Sequence, residues 1–353
     1  MPLMGSIVRC TIKGIVMLRK PLSLALQGGG AHGAFTWGVL DLLLETPGFR
    51  PDAISGCSAG AMNAVVLASG WAQGGAEGAR EALGRFWRAL SQDSPLAWMA
   101  LPGGPQLGDQ LSFSWHELLV KSLSRTAVAD LNPLDINPLR DLLRDQIDFD
   151  AVRRSPVKLF ISATNVRSGQ LRLMRNHELE LDALLASACL PQVHRTVQWQ
   201  GEAYWDGGFS ANPAIHPLVY ESPAHDILLV LLQPALRDAI PHSTHEVADR
   251  VAELGFSSNL LREMRAIAMA RRYAGRSRWW SGRLERRLGQ LRFHLLEPAE
   301  QLAQLPRSSK YDTRGSFLER LHLLGREHAA QWLAQSAQHV GRRSSLDLEQ
   351  RFM

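Results

Sequence analysis

Apolar and polar positions alternate along Pro21–Leu26, with Leu22, Leu24 and Leu26 in register, which is the period-two pattern of a strand. The run ends in Gln27-Gly28-Gly29-Gly30-Ala31-His32-Gly33. Phe35, Val39, Leu42 and Leu43 then recur at helical spacing over Ala34–Glu45. Ala53-Ile54 reads as a second strand, followed by small and aliphatic residues that predict one helix over 60–70 and another over 71–91. Residues 92–135 break the pattern with Pro95, Pro102-Gly103-Gly104-Pro105 and Pro133 among Trp98, Phe113 and Trp115; an insertion or lid is expected there. A helix restarts at Asn137-Pro138 with proline in its first turn. Val157–Thr164 and Gly169–Met174 read as strands, and Leu181–Cys189 as a short helix stopped at Leu190-Pro191. Trp199–Tyr204 reads as a hairpin turn, and Asp226–Leu232 as the final parallel strand. Val247–Arg272 and Phe317–His339 are amphipathic helical patterns rich in arginine. The expected division is an N-terminal extension outside the fold at 1–20, with Met17 as an alternative start, a catalytic-type domain at 21–235, and a basic, mostly helical region at 236–353.

Composition narrows the class. With 353 residues, 45% hydrophobic and 21% charged, the chain can bury a large core, and these are the proportions of a soluble globular protein. No apolar run approaches the roughly 18 residues of a spanning helix. Arg9, Lys13, Arg19 and Lys20 are scattered among short apolar pieces without a cleavage site, so no signal peptide is expected. Cys10, Cys57 and Cys189 are odd in number and widely spaced, which argues for reduced thiols in a cytoplasmic protein with no metal site and no cofactor. The net charge of +5 is uneven: residues 240–353 hold 19 Arg and Lys against 12 Asp and Glu, a net of +7 that leaves −2 for the remainder. Arginines around Trp279-Trp280 suit peripheral contact with an anionic, inner-membrane surface, against the plainer reading of solvated helix faces with buried tryptophans. No motif supports nucleic-acid binding.

Candidate chemistry lies in three places. Gly56-Cys57-Ser58-Ala59-Gly60 puts a serine between two glycines at a strand-to-helix turn, where a sharp bend pushes its oxygen out of the sheet. Ser58 is therefore the candidate nucleophile, Gly56 and Gly60 make room for the bend, and Cys57 is read as packing. Strand, glycine loop and helix at Gly28, Gly29, Gly30, Ala31, His32 and Gly33 form a backbone anion site whose amides would hold an oxyanion. A dinucleotide reading of the same loop fails because Asp52 precedes its strand instead of following it. Asp206, at the end of an aromatic strand and before Gly207-Gly208, is the candidate partner of Ser58; an aspartate capping a turn would look the same.

These three elements in this order, with Ala186-Ser187-Ala188, Pro191 and Asn212-Pro213, resemble the patatin-like phospholipases over about residues 21–235. The resemblance implies a three-layer α/β/α sandwich around a mainly parallel sheet and a Ser–Asp dyad without histidine. It also implies calcium-independent hydrolysis of lipid or phospholipid acyl esters through an acyl-enzyme. The family usually has Arg or Lys where this chain has His32, which implies a titratable charge and pH-sensitive activity if the ring faces the site, as opposed to an outward-facing ring on the first helical turn. Such a dyad requires a raised pKa on Asp206, with Trp205 and Phe209 as the apolar neighbours to desolvate it. Two alternatives stand beside it: a Ser–Asp–His triad using His216 as base, and a membrane-binding protein with a vestigial site.

Overall fold

The computed structural model describes residues 18, 20–92, 137–191, 194–234, 240–274, 282–298 and 300–353. The expected insertion, the tryptophan pair Trp279-Trp280 and nearly all of the N-terminal extension lie outside the described residues. In chain order, β1 (Leu22–Leu26) leads to α1 (Gly33–Glu45), and β2 (Pro51–Gly56) to α2 (Ala59–Gln92). After α3 (Pro138–Gln146) and α4 (Phe149–Arg154) come β3 (Lys158–Asn165), β4 (Leu171–Arg175) and α5 (Leu181–Ser187). The hairpin β5 (Val197–Trp199) and β6 (Glu202–Asp206) precedes α6 (His216–Tyr220) and β7 (Asp226–Val230). Then follow α7 (Thr244–Ala274), α8 (Arg283–Gln290), β8 (Arg292–Leu296), α9 (Glu300–Ala303), α10 (Gly315–Ser336) and α11 (Leu348–Phe352).

One eight-stranded sheet runs through the molecule, in the order β5-β6-β3-β2-β1-β7-β8, with β4 also paired to β3. The pairs β3-β2, β2-β1, β1-β7 and β7-β8 are parallel; those involving β4, β5 and β6 are antiparallel. Side chains of successive strand residues point to opposite faces. Leu22, Leu24 and Leu26 accordingly enter the larger core with α1, α2 and α10, while Ala25, Ile227 and Leu229 enter the smaller one with α6 and α7. Helices on both faces of a mainly parallel sheet make the α/β/α sandwich. The two helices expected over 60–91 are halves of α2, broken at Gly74–Gly75 where the backbone leaves helical geometry.

One expectation for the C-terminal region is corrected. Asp226–Leu232 is not the last strand, because β8 pairs with β7 from Asp226↔Arg292 to Val230↔Leu296. Its polar residues hid it: His294 is fully buried, with Nε2 3.1 Å from Asp226. The boundary at 235 thus falls between two neighbouring strands of one sheet. α10 covers α1 at close range as well. An added Cβ on Gly325 would stand 2.0 Å from the Phe35 carbonyl oxygen, and one on Gly38 1.9 Å from that of His322, so the helices meet backbone to backbone. Asp41 of α1 is bonded by Arg80 of α2 and by His322 and Arg326 of α10. Burial opposes its ionisation, but those donors and charges win and hold it at about 2.

The register of β3 explains how distant segments meet. β2 pairs with residues 158–161 of β3 and β6 with 163–165, while β4 occupies the opposite edge over 160–164. β2 and β6 therefore share one edge, end to end. The chain leaves it after Gly56, and Asp206, opposite Ala163, takes up the next stretch of the same edge.

Candidate active site

Ser58 sits in the gap between the ends of β2 and β6. Its φ of +53° is in the left-handed region, which costs a non-glycine residue about 1–2 kcal/mol and here aims the side chain out of the sheet. The bend is tight: a Cβ on Gly60 would lie 2.2 Å from the Leu26 carbonyl oxygen, so α2 starts almost against the end of β1. The Ser58 amide donates to Ser187 Oγ at 3.1 Å, which anchors the bend to the C-terminal end of α5.

Asp206 is 1% exposed. Its main chain is pinned on both sides, the amide donating to the Cys189 carbonyl at 2.8 Å and the carbonyl accepting from Thr164 Oγ1 at 2.8 Å. Oδ1 of the carboxylate accepts from the Gly208 amide at 2.7 Å and faces the Cys57 thiol at 3.4 Å. The Ser58 side chain is a further neighbour that favours the ionised carboxylate. Burial pushes its pKa up to about 6, and the bonds from Gly208, Ser58 and Cys57 limit the rise. The aromatic flank contributes less than expected. Trp205 points to the other face of β6 and bonds Thr196 at 3.0 Å, and the Phe209 ring is 38% exposed. Desolvation comes from the tight turn itself, where Phe256 of α7 packs on Gly208.

The glycine loop lies directly over the elbow. A Cβ on Gly28 would stand 2.7 Å from the Cys57 carbonyl oxygen and 2.8 Å from Ser58 Cβ, so only glycine lets the main chain come so near. Not all six loop residues offer an amide. That of Gly28 donates to Asn212 Oδ1 at 2.7 Å, that of His32 to the Gly29 carbonyl, and that of Gly33 to the carbonyls of Ala31 and Gly30. Gly29 and Gly30 open the 3-10 turn Gly30–His32, where amides have no partner within the turn.

His32 does not face solvent on a first helical turn. Its ring is buried, with Nε2 2.7 Å from Ser309 Oγ and the Phe317 ring 6.3 Å away. Burial, and then the nearby charge of Lys310, lower its pKa to about 4. The charge expected at this position is absent at neutral pH, and a C-terminal segment lies on the loop in its stead: the Lys310 carbonyl oxygen would be 2.3 Å from a Cβ on Gly30.

His216 is turned elsewhere. Its Nδ1 is 3.0 Å from Glu263, which also accepts the backbone amides of Ile215 and His216. No histidine is among the groups acting on Asp206, so the Ser–Asp–His arrangement has no support. Asp52 lies at the opposite end of β2 from the elbow and accepts from Ser222, away from the glycine loop. Among the described residues no cluster of three His, Cys, Asp or Glu side chains is placed to hold a metal. Sequence reasoning gave no role to Ser187 or Asn212, and treated Cys57 as packing. Ser187 and Asn212 entered only as members of the family-like runs Ala186-Ser187-Ala188 and Asn212-Pro213, and the ends of apolar runs are also where polar, turn-capping residues occur.

The patatin-like phospholipase model matches residues 24–219, more than half of the chain. The chain belongs to the patatin-like phospholipase family. No curated protein matches it. Among solved structures, VipD from Legionella pneumophila is 15% identical, with a TM-score of 0.43, covering 90% of this chain and 67% of VipD. The type III effector ExoU is 15% identical with a TM-score of 0.35, covering 90% of this chain and 54% of ExoU. ExoU from Pseudomonas aeruginosa in complex with SpcU gives 16% and 0.31. The chain thus spans about half the length of ExoU. Membership of the family implies lipid-ester hydrolase activity.

Proposed function

We propose that this patatin-like protein is a serine hydrolase that cleaves carboxylic esters of lipids or phospholipids through a Ser58–Asp206 dyad and an acyl-enzyme. The observation that carries the reading is the convergence of Ser58 with the buried Asp206 carboxylate beneath the glycine loop. Ser58 Oγ attacks the acyl carbonyl carbon while its proton passes to the Asp206 carboxylate. The carbonyl electron pair moves onto oxygen, facing the amides of Gly29 and Gly30. Collapse expels the alcohol, which takes the proton; water then repeats the sequence on the acyl-enzyme. A pKa of about 6 supports the role of base, since the group is ionised at neutral pH yet more basic than an ordinary aspartate.

A fluorophosphonate probe tests the reading. Wild-type protein should be labelled covalently and Ser58→Ala should not; an unlabelled wild type, or equal labelling of both, would leave a vestigial site.

The substrate phase is proposed from the surface. No described helix is long and apolar enough to cross a membrane. On α7, Val247, Val251 and Leu254 form an exposed stripe that continues through Arg262 and Arg265. Three of its carboxylates are engaged elsewhere: Glu246 accepts amides at the helix start, Glu253 pairs with Arg250, and Glu263 holds α6. An apolar and arginine-bearing face supports peripheral contact with an anionic cytoplasmic membrane surface. Flotation with phosphatidylglycerol vesicles should fall in an Arg262→Glu/Arg265→Glu variant; unchanged flotation counts against this contact.

A further inference from the structure

Around the Asp206 carboxylate the two oxygens are not equivalent. Oδ1 accepts from the Gly208 amide at 2.7 Å and is met by the Cys57 thiol at 3.4 Å, within reach for a sulfur donor. Cys57 is fully buried between β2 and the elbow, and its own carbonyl accepts the Gly60 amide at 2.8 Å, which fixes the residue from the main-chain side. Resting on the dyad reading above, we propose that Cys57 is a positioning residue of the reaction: its thiol and the Gly208 amide tether Oδ1, so that Oδ2 is the oxygen that exchanges the proton with Ser58.

The chemistry of the thiol suits this part. Cys57 stands well above the ordinary thiol range, through burial and then through the charge and hydrogen bond of Asp206, so it remains an S–H donor over the whole working range of pH. The other titratable group nearby is Cys189. It is also held protonated, chiefly by burial, at about 11, and its Sγ is directed to the Arg195 carbonyl at 3.1 Å. No Lys, Arg or His among the described residues acts on the carboxylate. With no cation present, burial raises its basicity, and neutral, weak donors alone moderate that rise and orient the group. A thiol bonds more weakly than a hydroxyl. It thus restrains the carboxylate while leaving it basic, whereas a stronger donor or a cation would return it toward the ordinary aspartate range.

One set of variants separates positioning from filling. Cys57→Ala and Cys57→Val remove the donor, and valine retains volume; Cys57→Ser retains a donor. The pH dependence of kcat/KM is measured on a soluble short-chain ester, and melting temperature is measured alongside. Losing the S–H bond should raise the acid limb by about half a pH unit in both Ala and Val, about a threefold loss at a pH below the limb. Serine should leave the limb at or below the wild-type position. If all three variants keep the wild-type limb, or if Val restores what Ala loses without any movement of the limb, Cys57 is only a filler and the inference is overturned. The pH dependence of Ser58 labelling by a fluorophosphonate gives the same limb in any variant too slow to assay by turnover. Wild-type protein that is neither labelled nor active removes the dyad reading and this inference with it, whereas an active, labelled wild type with unmoved variants removes this inference alone.

Discussion

Asp206→Asn removes a charge from a position that water hardly reaches, and its effect on stability follows from the structure. The carboxyl has a pKa of about 6 in the folded protein against an ordinary value of 3.8, because burial disfavours the ionised form more than its three donors favour it. A carboxyl raised on folding contributes stability that is fully present below pH 3.8, where both states are protonated, and that is lost as pH rises through about 6. At neutral pH the ionised group therefore costs the fold about 3 kcal/mol, from a difference of about two pKa units at 1.36 kcal/mol each. Asparagine has the same shape, and its carbonyl oxygen can take the place of Oδ1 toward Gly208 and Cys57. The variant should be more stable than wild type by about 3 kcal/mol at pH 7.5, by roughly half of that at pH 5, and by only a small remainder at pH 4. Ester hydrolysis should fall by about 10²–10⁴-fold, the range for removing a general base. Urea unfolding of both proteins at the three pH values, with turnover measured in parallel, checks this. A variant no more stable than wild type at pH 7.5, or a stability difference that does not change with pH, would refute the reasoning that desolvation sets the basicity of Asp206.

Three further outcomes follow from the same geometry. Wild-type kcat/KM should decline as pH falls through about 6, and His32→Gln should leave that limb in place, since the ring is neutral above about 4 and bonded to Ser309. The His32 pKa is depressed on folding, so stability is lost as pH falls from 6.5 toward 4; denaturation at pH 5 should show the variant less acid-sensitive. Gly28→Ala forces a Cβ to within 2.8 Å of Ser58 Cβ and should cost about 1–3 kcal/mol while abolishing probe labelling, both read on purified protein. Gly325→Ala, facing the Phe35 carbonyl at 2.0 Å, and deletion of residues 236–353 should each deplete soluble folded protein, because α10 and β8 belong to the same layers as the glycine loop; soluble yield and circular dichroism measure it.

How much of this was legible in the sequence differs from one element to the next. The Leu22-Leu24-Leu26 alternation, the helical spacing after Gly33 and the glycines around Ser58 are local patterns. Each is imposed by the steric and hydrophobic demands of its own segment, and each is found where it was expected. β8 was not legible, because His294 and Arg292 are balanced by Asp226, a carboxylate 66 or more residues away that the local pattern does not contain. The availability of loop amides was equally hidden: Gly28 looked free until Asn212, 184 positions further on, took its N–H. His32 carried a titratable charge on paper and loses it to burial beneath Ser309 and Phe317.

The sequence by itself determined which residue types could do chemistry and where the chain must bend, since a strand-to-helix elbow and a close backbone approach admit little but glycine. Only the tertiary structure decided that β6 continues the edge that β2 leaves, which sets Asp206 beside Ser58 and buries it. Pairing register and desolvation depend on segments far apart along the chain, and no local run of residues encodes them.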